Sequence, residues 1–168
     1  KYDHALWVAL TQINKTHESW DELSLQLIDT LNSFKLKLHK SIEESTKGLA
    51  NDPGNYIFQR IIAFSNYELK RYKEAAEASK QFWANAGKKV KDIDYIYSAR
   101  IAAQSGDTAA ARQYFDKALE NDPGNCDLLG EYGKMLFQAK KYNESVAQYL
   151  AKKEKCGKLG SVEVYYLG

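Results

Sequence analysis

The pentapeptide NDPGN stands at residues 51–55 and again, unchanged, at 121–125, an offset of 70 in a chain of 168 residues. Each of its residues is a form of punctuation. An Asp ahead of Pro is biased out of the α region, Pro has no amide hydrogen with which to continue a helix, and Gly permits a positive φ. Asn55 and Asn125 can then cap the helices that follow. The pentapeptide predicts the end of one helix and the start of the next, twice, at one point of a repeating unit.

The same offset recurs around it. KYDHA at 1–5, RYKEA at 71–75 and KYNES at 141–145 share a basic residue, a tyrosine and a small residue three further on. Between them lie KLHKS, ending at Ser41, and DTAAA, ending at Ala111. The small residues Ala5, Ser41, Ala75, Ala111 and Ser145 are spaced by 36, 34, 36 and 34, so the unit is about 35 residues long. A second small column runs through Ala63, Ala99, Gly133 and Gly168. Between the columns apolar residues recur at spacings of three and four, as in IIAFSNYELK followed by RYKEAAEASKQFW, which predicts helix, tight turn, helix. Gly106 and Asp107 suit a helix end and the N-cap after it. Antiparallel helices approach to 8 to 10 Å only where the crossing residues are small, and the two columns mark those crossings. Tyr72, Phe82, Tyr95, Phe115, Leu119, Tyr132, Leu136 and Tyr149 are placed to fill the core around them.

The composition, 44% hydrophobic and 27% charged, is that of a globular chain, and 168 residues suit one domain. A formal charge of +2 argues against a whole-surface attraction to nucleic acid or to an anionic membrane. No window approaches the roughly 18 consecutive apolar residues of a membrane span. The sequence starts at Lys1 without a methionine or a signal pattern, so a leader removed or sequence missing upstream is expected, and the compartment stays open.

Chemistry-bearing motifs are scarce. His4, His17 and His39 have no metal-ligand spacing and read as surface or interhelix residues, and no P-loop, dinucleotide fingerprint or nucleophile elbow is present. No enzyme activity, metal or cofactor is expected. The sequons at Asn14 and Asn143 read as chance matches, since Ser145 belongs to a packing column, and Lys88, Lys89 and Lys91 read as a solvated loop. Cys126 and Cys156 lack zinc or thioredoxin spacing, but fall near the start and the end of one hairpin. A disulfide is allowed there if the two α-carbons come within about 7 Å, and two free thiols are the alternative.

A hairpin of this length, with a small residue in each helix, an aromatic after the turn and Asp-Pro at the end, resembles the tetratricopeptide repeat. The resemblance is strongest over 92–125, with Tyr95, Ala99, Gly106, Asp107, Ala111, Phe115, Ala118, Asp122 and Pro123. It continues over 126–157 with Leu129, Tyr132, Gly133, Tyr142, Ser145 and Tyr149. Over 56–90 it rests on Ile62, Ala63, Tyr72, Ala75 and Phe82, with Asn66 where an aromatic is usual. Residues 19–50 are expected to be a degenerate repeat, since Ser41, Ser45 and Gly48 keep the second-helix pattern but Asp29 interrupts the first, and Trp20, Leu23, Leu27 and Leu31 suggest a first helix that is longer or shifted in register. Residues 1–15 would be half of an earlier unit and 161–168 the start of a later one. The fold this implies is an all-α, right-handed solenoid of about nine or ten helices in a single domain. Val162, Val164, Tyr165 and Leu167 would be left without a following helix, which makes end-to-end self-association an expectation.

The resemblance also implies a concave groove, lined by the first helix of each pair, that accepts an extended peptide or a helix of a partner protein. The groove candidates are Arg60, Phe64 and Tyr67, then Tyr97, Arg100 and Gln104, then Glu131, Lys134, Phe137 and Gln138. Aromatic and arginine side chains are suitable anchors; the alternative for Phe64, Tyr67 and Phe137 is packing between neighbouring repeats. Members that hold chaperone tails use an asparagine and lysine clamp where this chain has Phe64, Asp127 and Glu131, so a chaperone carboxylate is disfavoured. The chain is thus expected to be a non-catalytic protein-interaction scaffold. The competing expectation is an RNA-binding array, similar to a second family of about 35-residue repeats that reads single strands; the near-neutral charge and the Asp-Pro-Gly punctuation favour the first. Units of this style resemble those of bacterial envelope-associated proteins, which makes the periplasm the expected compartment and the cytoplasm its alternative.

Overall fold

The computed structural model describes residues 20–167. Among the described residues there are eight α-helices and no strand: α1 (Trp20–Asn51), α2 (Tyr56–Glu68), α3 (Tyr72–Ala86), α4 (Asp92–Ser105), α5 (Thr108–Asn121), α6 (Cys126–Gln138), α7 (Tyr142–Cys156) and α8 (Ser161–Leu167). The half repeat expected at 1–15, with His4, His17 and Asn14, lies outside the described residues. The chain divides into two compact units, one ending at Lys40 and the other beginning at Ser41.

In the first unit the described part is the N-terminal stretch of α1, where Ile28, Leu31 and Leu36 are exposed. The hairpin expected over 19–50 is not formed: the chain runs through it as one helix of 32 residues. The physical reason is the absence of any Gly or Pro between Trp20 and Lys47, so nothing stops propagation once the helix has started. Thr30 and Thr46 bond back to the carbonyls of Gln26 and Ile42, keeping their hydroxyls inside the helix's own turns. In the second unit, Ser45 of α1 is buried, and a Cβ on Gly48 would meet the Phe58 ring at 2.5 Å.

The second unit stacks three helical hairpins, α2–α3, α4–α5 and α6–α7. The members of both small columns that fall in these hairpins sit at the crossings. Ala75, Ala99, Ala111 and Ser145 have no exposed surface, and Ser145 Oγ donates to the Gly133 carbonyl at 2.7 Å. A Cβ at Gly133 would lie 2.7 Å from the Tyr149 ring. One buried cluster joins Ala99, Ala102, Ala111, Phe115, Ala118, Leu128, Tyr132, Met135 and Leu136 across α4, α5 and α6. A second joins Ala63, Ala75, Ala78 and Ile101 across α2, α3 and α4.

The two NDPGN segments are turns with caps. The Asn55 amide donates to the Asp52 carbonyl at 3.1 Å and the Asn125 amide to that of Asp122 at 3.2 Å. Asn55 Oδ1 then accepts from the Ile57 amide, and Asn125 Oδ1 from the Leu128 amide, each at 3.0 Å. The predicted role of glycine does not hold. Gly54 and Gly124 stay out of the positive-φ region, and a Cβ on either would meet open space.

Within hairpins the positive φ is found elsewhere. Gly106, at φ 86°, ends α4, and Asp107 caps α5 by accepting from the Ala110 amide at 3.0 Å. In the other two hairpins the equivalent residue is Lys70 or Lys140, each at φ 59°. The following amide closes the helix end in all three: Arg71 to the Asn66 carbonyl at 2.8 Å, Asp107 to Ala102 at 2.9 Å and Lys141 to Leu136 at 2.8 Å. At the opposite end of the last hairpin Cys126 and Cys156 form a disulfide, with α-carbons 6.1 Å apart. Of the two alternatives left by the spacing, it is the bonded one.

Candidate partner-binding face

The first helices α2, α4 and α6 carry the predicted groove residues, and all three are joined by one chain of contacts. Phe64 of α2 stacks on Tyr97 of α4, centroids 3.9 Å apart and planes within 13°. Tyr67 meets the same ring edge-on at 5.7 Å. The Tyr97 hydroxyl donates to Glu68 Oε1 at 2.7 Å, while the Arg100 guanidinium lies 5.9 Å from the Tyr97 ring centroid. Arg100 then forks across to α6, with Nε and Nη2 each 2.7 Å from an oxygen of Glu131. Arg100 and Glu131 keep 28% and 38% of their side-chain surface exposed, so the pair stands at the surface of the strip. Burial alone would lower the Arg100 pKa, but the Glu131 carboxylate outweighs it and the net shift is upward. Burial also raises the Tyr67 phenol.

Phe64, Tyr67, Tyr97, Arg100 and Glu131 are brought together because they fall on one side of their helices, between the small crossing positions. Phe64 and Arg100 each follow a crossing residue, Ala63 or Ala99, and therefore point past the packed stripe. Phe64 and Tyr67 pack between neighbouring repeats and remain partly exposed. Phe137 is set apart, packed against Tyr142 at 5.2 Å and Tyr166 of α8 at 4.3 Å. Gln104, Lys134 and Gln138 are exposed.

Arg60 does not belong with the exposed anchors. Its side chain is 15% exposed and Nη2 lies 2.6 Å from Oδ2 of Asp94, which is fully buried. The guanidinium sits over the rings of Tyr56 and Phe82, at 5.5 and 5.2 Å, and also donates to the Lys89 carbonyl. A buried carboxylate demands a partner, and Arg60 is the cation within reach. Asp94 also accepts from the Lys91 amide at 2.7 Å, so one carboxylate ties α2, the 87–91 connection and α4 together. Asp94 was legible in principle: 94, 98, 101 and 102 form a helical stripe on which Ser98, Ile101 and Ala102 are all buried. Glu68 and Tyr166, which complete the aromatic contacts, carried no comparable signal.

Among the described residues no group of three or more His, Cys, Asp or Glu side chains is placed to hold a metal ion, and no helix is long and apolar enough to cross a membrane.

Residues 98–155 match the tetratricopeptide-repeat family model. No curated protein sequence matches the chain. Solved structures share its fold. YrrB, a TPR protein with an unusual peptide-binding site, is 15% identical, with a TM-score of 0.68 over 95% of this chain and 79% of that one. PilF of Pseudomonas aeruginosa is 17% identical, with a TM-score of 0.57 over 98% of this chain and 80% of that one. The C-terminal part of a TPR repeat-containing protein from Cytophaga hutchinsonii is 18% identical, with a TM-score of 0.52 over 77% and 64%. From α4 through α7 the chain carries the tetratricopeptide-repeat match, α2–α3 has the same small residues at its crossing, and the described helices form an all-α helical repeat solenoid.

Proposed function

We propose that the chain is a non-catalytic scaffold that holds an extended peptide or a helix of a partner protein against the face formed by α2, α4 and α6. The observation that carries this reading is the half-exposed strip Phe64, Tyr67, Tyr97, Arg100 and Glu131, running without interruption over three successive first helices. Rigid rings beside a fixed polar fork give area and direction at small entropic cost, which is what a peptide-holding surface requires. Gln104, Lys134 and Gln138 extend the strip with exposed donors. YrrB, of similar fold, has a peptide-binding site, which supports the same use of this one.

The test is selection of peptides from a random display library on the immobilised protein, followed by affinity measurement with purified variants. Tyr97→Ser and the double variant Gln104→Ala/Lys134→Ala are expected to weaken selected peptides about tenfold or more, as interface anchors do. Lys117→Ala, on the exposed side of α5, should leave them unchanged. Peptides that bind all variants equally would place the site elsewhere, and salt-sensitive binding of single-stranded RNA in their stead would replace this reading with the nucleic-acid one.

A further inference from the structure

The three hairpins are alike at their crossings and differ at the end where the first helix begins and the second finishes. In α2–α3 that end is closed by apolar packing: Tyr56 lies 6.3 Å from Phe82, and Phe82 and Ala86 are buried. In α4–α5 it is closed by a hydrogen bond, Asn121 Nδ2 to Asp92 Oδ1 at 2.7 Å. In α6–α7 the residues 70 positions on from Tyr56, Phe82 and Ala86 are Cys126, Lys152 and Cys156. The large ring has become a lysine, whose ammonium pairs with Glu163 of α8, and the small buried residue has become half of a disulfide.

The second half of α7 has little else to hold it. The buried residues of this helix are Ser145 and Tyr149, neither beyond its midpoint, and none of the six side chains from Leu150 to Lys155 is buried. What fastens that stretch is polar or covalent: Lys152 to Glu163, Lys155 Nζ to the Pro123 carbonyl at 2.7 Å, and Cys156 to Cys126. The Lys152–Glu163 pair is mostly buried, with 16% of each side chain exposed, and holds α7 at one point; the single exposed hydrogen bond of Lys155 contributes little. A bond that closes a loop of sequence separation 30 restricts the open chain far more.

We propose that the Cys126–Cys156 bond is a redox-dependent latch: the open end of the α6–α7 hairpin stays shut only after the two thiols have been oxidised. The oxidant is a disulfide-bearing dithiol carrier of an oxidising compartment. One cysteine thiolate attacks the carrier's disulfide, forming a mixed disulfide and releasing one carrier thiolate. The second cysteine thiolate then attacks the first cysteine's sulfur, the internal bond forms, and the carrier leaves as a dithiol with both electrons, while the two protons of the cysteine thiols pass to the carrier sulfurs. Both cysteines are only partly buried, so a carrier can reach them. A glutathione-buffered, reducing compartment would keep the thiols and leave the hairpin end unlatched.

Two measurements test this. Protein acid-quenched in the cells that make it and alkylated with a maleimide under denaturing conditions should gain no adduct before reduction and two after it; labelling of both thiols before reduction overturns the assignment to an oxidising compartment. Hydrogen exchange is then compared for the oxidised protein, the same protein treated with a phosphine reductant, and the variant Cys126→Ser/Cys156→Ser. Amides of 150–156 should exchange about tenfold faster or more in the last two samples, with those of 92–121 unchanged. Equal exchange over 150–156 in all three overturns the latch. So does acceleration spread equally through 92–121, because the bond would then support the whole unit and not one hairpin end.

Discussion

Gly54 and Gly124 occupy their turns without using a glycine's freedom, while Lys70 and Lys140 use that freedom without being glycine. A non-Gly residue in the left-handed region costs about 1 to 2 kcal/mol, and a Gly where φ is negative leaves needless entropy in the unfolded chain. Gly124→Ala is therefore expected to stabilise by about 0.4 to 1 kcal/mol. Lys140→Gly should stabilise by up to about 1 kcal/mol after its own entropic cost, and Gly106→Ala should destabilise by about 1 kcal/mol or more. Urea denaturation with an unchanged slope would report each as a shift of midpoint. The capping by Asn55 and Asn125 was legible because a short polar side chain before a helix has few other uses. The glycine conformation was not: Pro followed by Gly suits a turn with positive φ at the third position and equally one without it. Nor was the lysine turn legible, since the column at 70, 106 and 140 reads Lys, Gly, Lys and only its middle member announces its backbone.

At the scale of elements the small columns were the most informative signal, because a crossing tolerates only a few side chains and 34-to-36-residue spacing repeats that demand. Ala111, with no exposed surface beneath Ala99, is a strict case. Ala111→Phe should cost on the order of 1 to 3 kcal/mol or more by overpacking. Gly133→Ala should cost a similar amount, since the new methyl meets the Tyr149 ring at 2.7 Å and that ring is itself fully buried. Melting temperatures close to that of the parent protein would contradict both. The same columns misled at 19–50. Ser41, Ser45 and Gly48 follow the second-helix pattern, but a hairpin also needs a breaker, and without one the chain continues as α1. The disulfide was undecidable from spacing alone, because helix lengths place both cysteines at one end without fixing the distance between them.

At the scale of the whole molecule, the fold was legible from repetition, whereas the candidate face was legible only in outline. Repetition locates the first helices; it does not say which of their polar groups are taken by one another. Arg60 was lost to Asp94 and Arg100 is shared with Glu131 because buried or half-buried charges recruit the nearest complement. Packing also sets the response to alkali. Burial, reinforced by a hydrogen bond to Asp116, pushes the Tyr132 phenol up from 10.0 to about 12, and burial with Tyr166 nearby does the same for Tyr149. A raised folded-state value means that the folded chain holds the phenolic proton more tightly. Its contribution to stability is complete below about pH 10 and is lost as pH rises toward about 12. Denaturation midpoints measured from pH 9 upward should fall through that window, and Tyr132→Phe should make the fall shallower.

The Arg100–Glu131 fork has a kinetic counterpart. Two opposite charges 2.7 Å apart leave almost no field for an approaching ligand to follow, and Glu68 is partly screened by the Tyr97 hydroxyl. The pair would therefore add little steering for a partner of this face, and the double variant Arg100→Ala/Glu131→Ala should barely change the arrival rate or its dependence on salt. Selectivity would then reside in how long the partner stays, and variants of Tyr97 should shorten the residence time while leaving the arrival rate almost untouched.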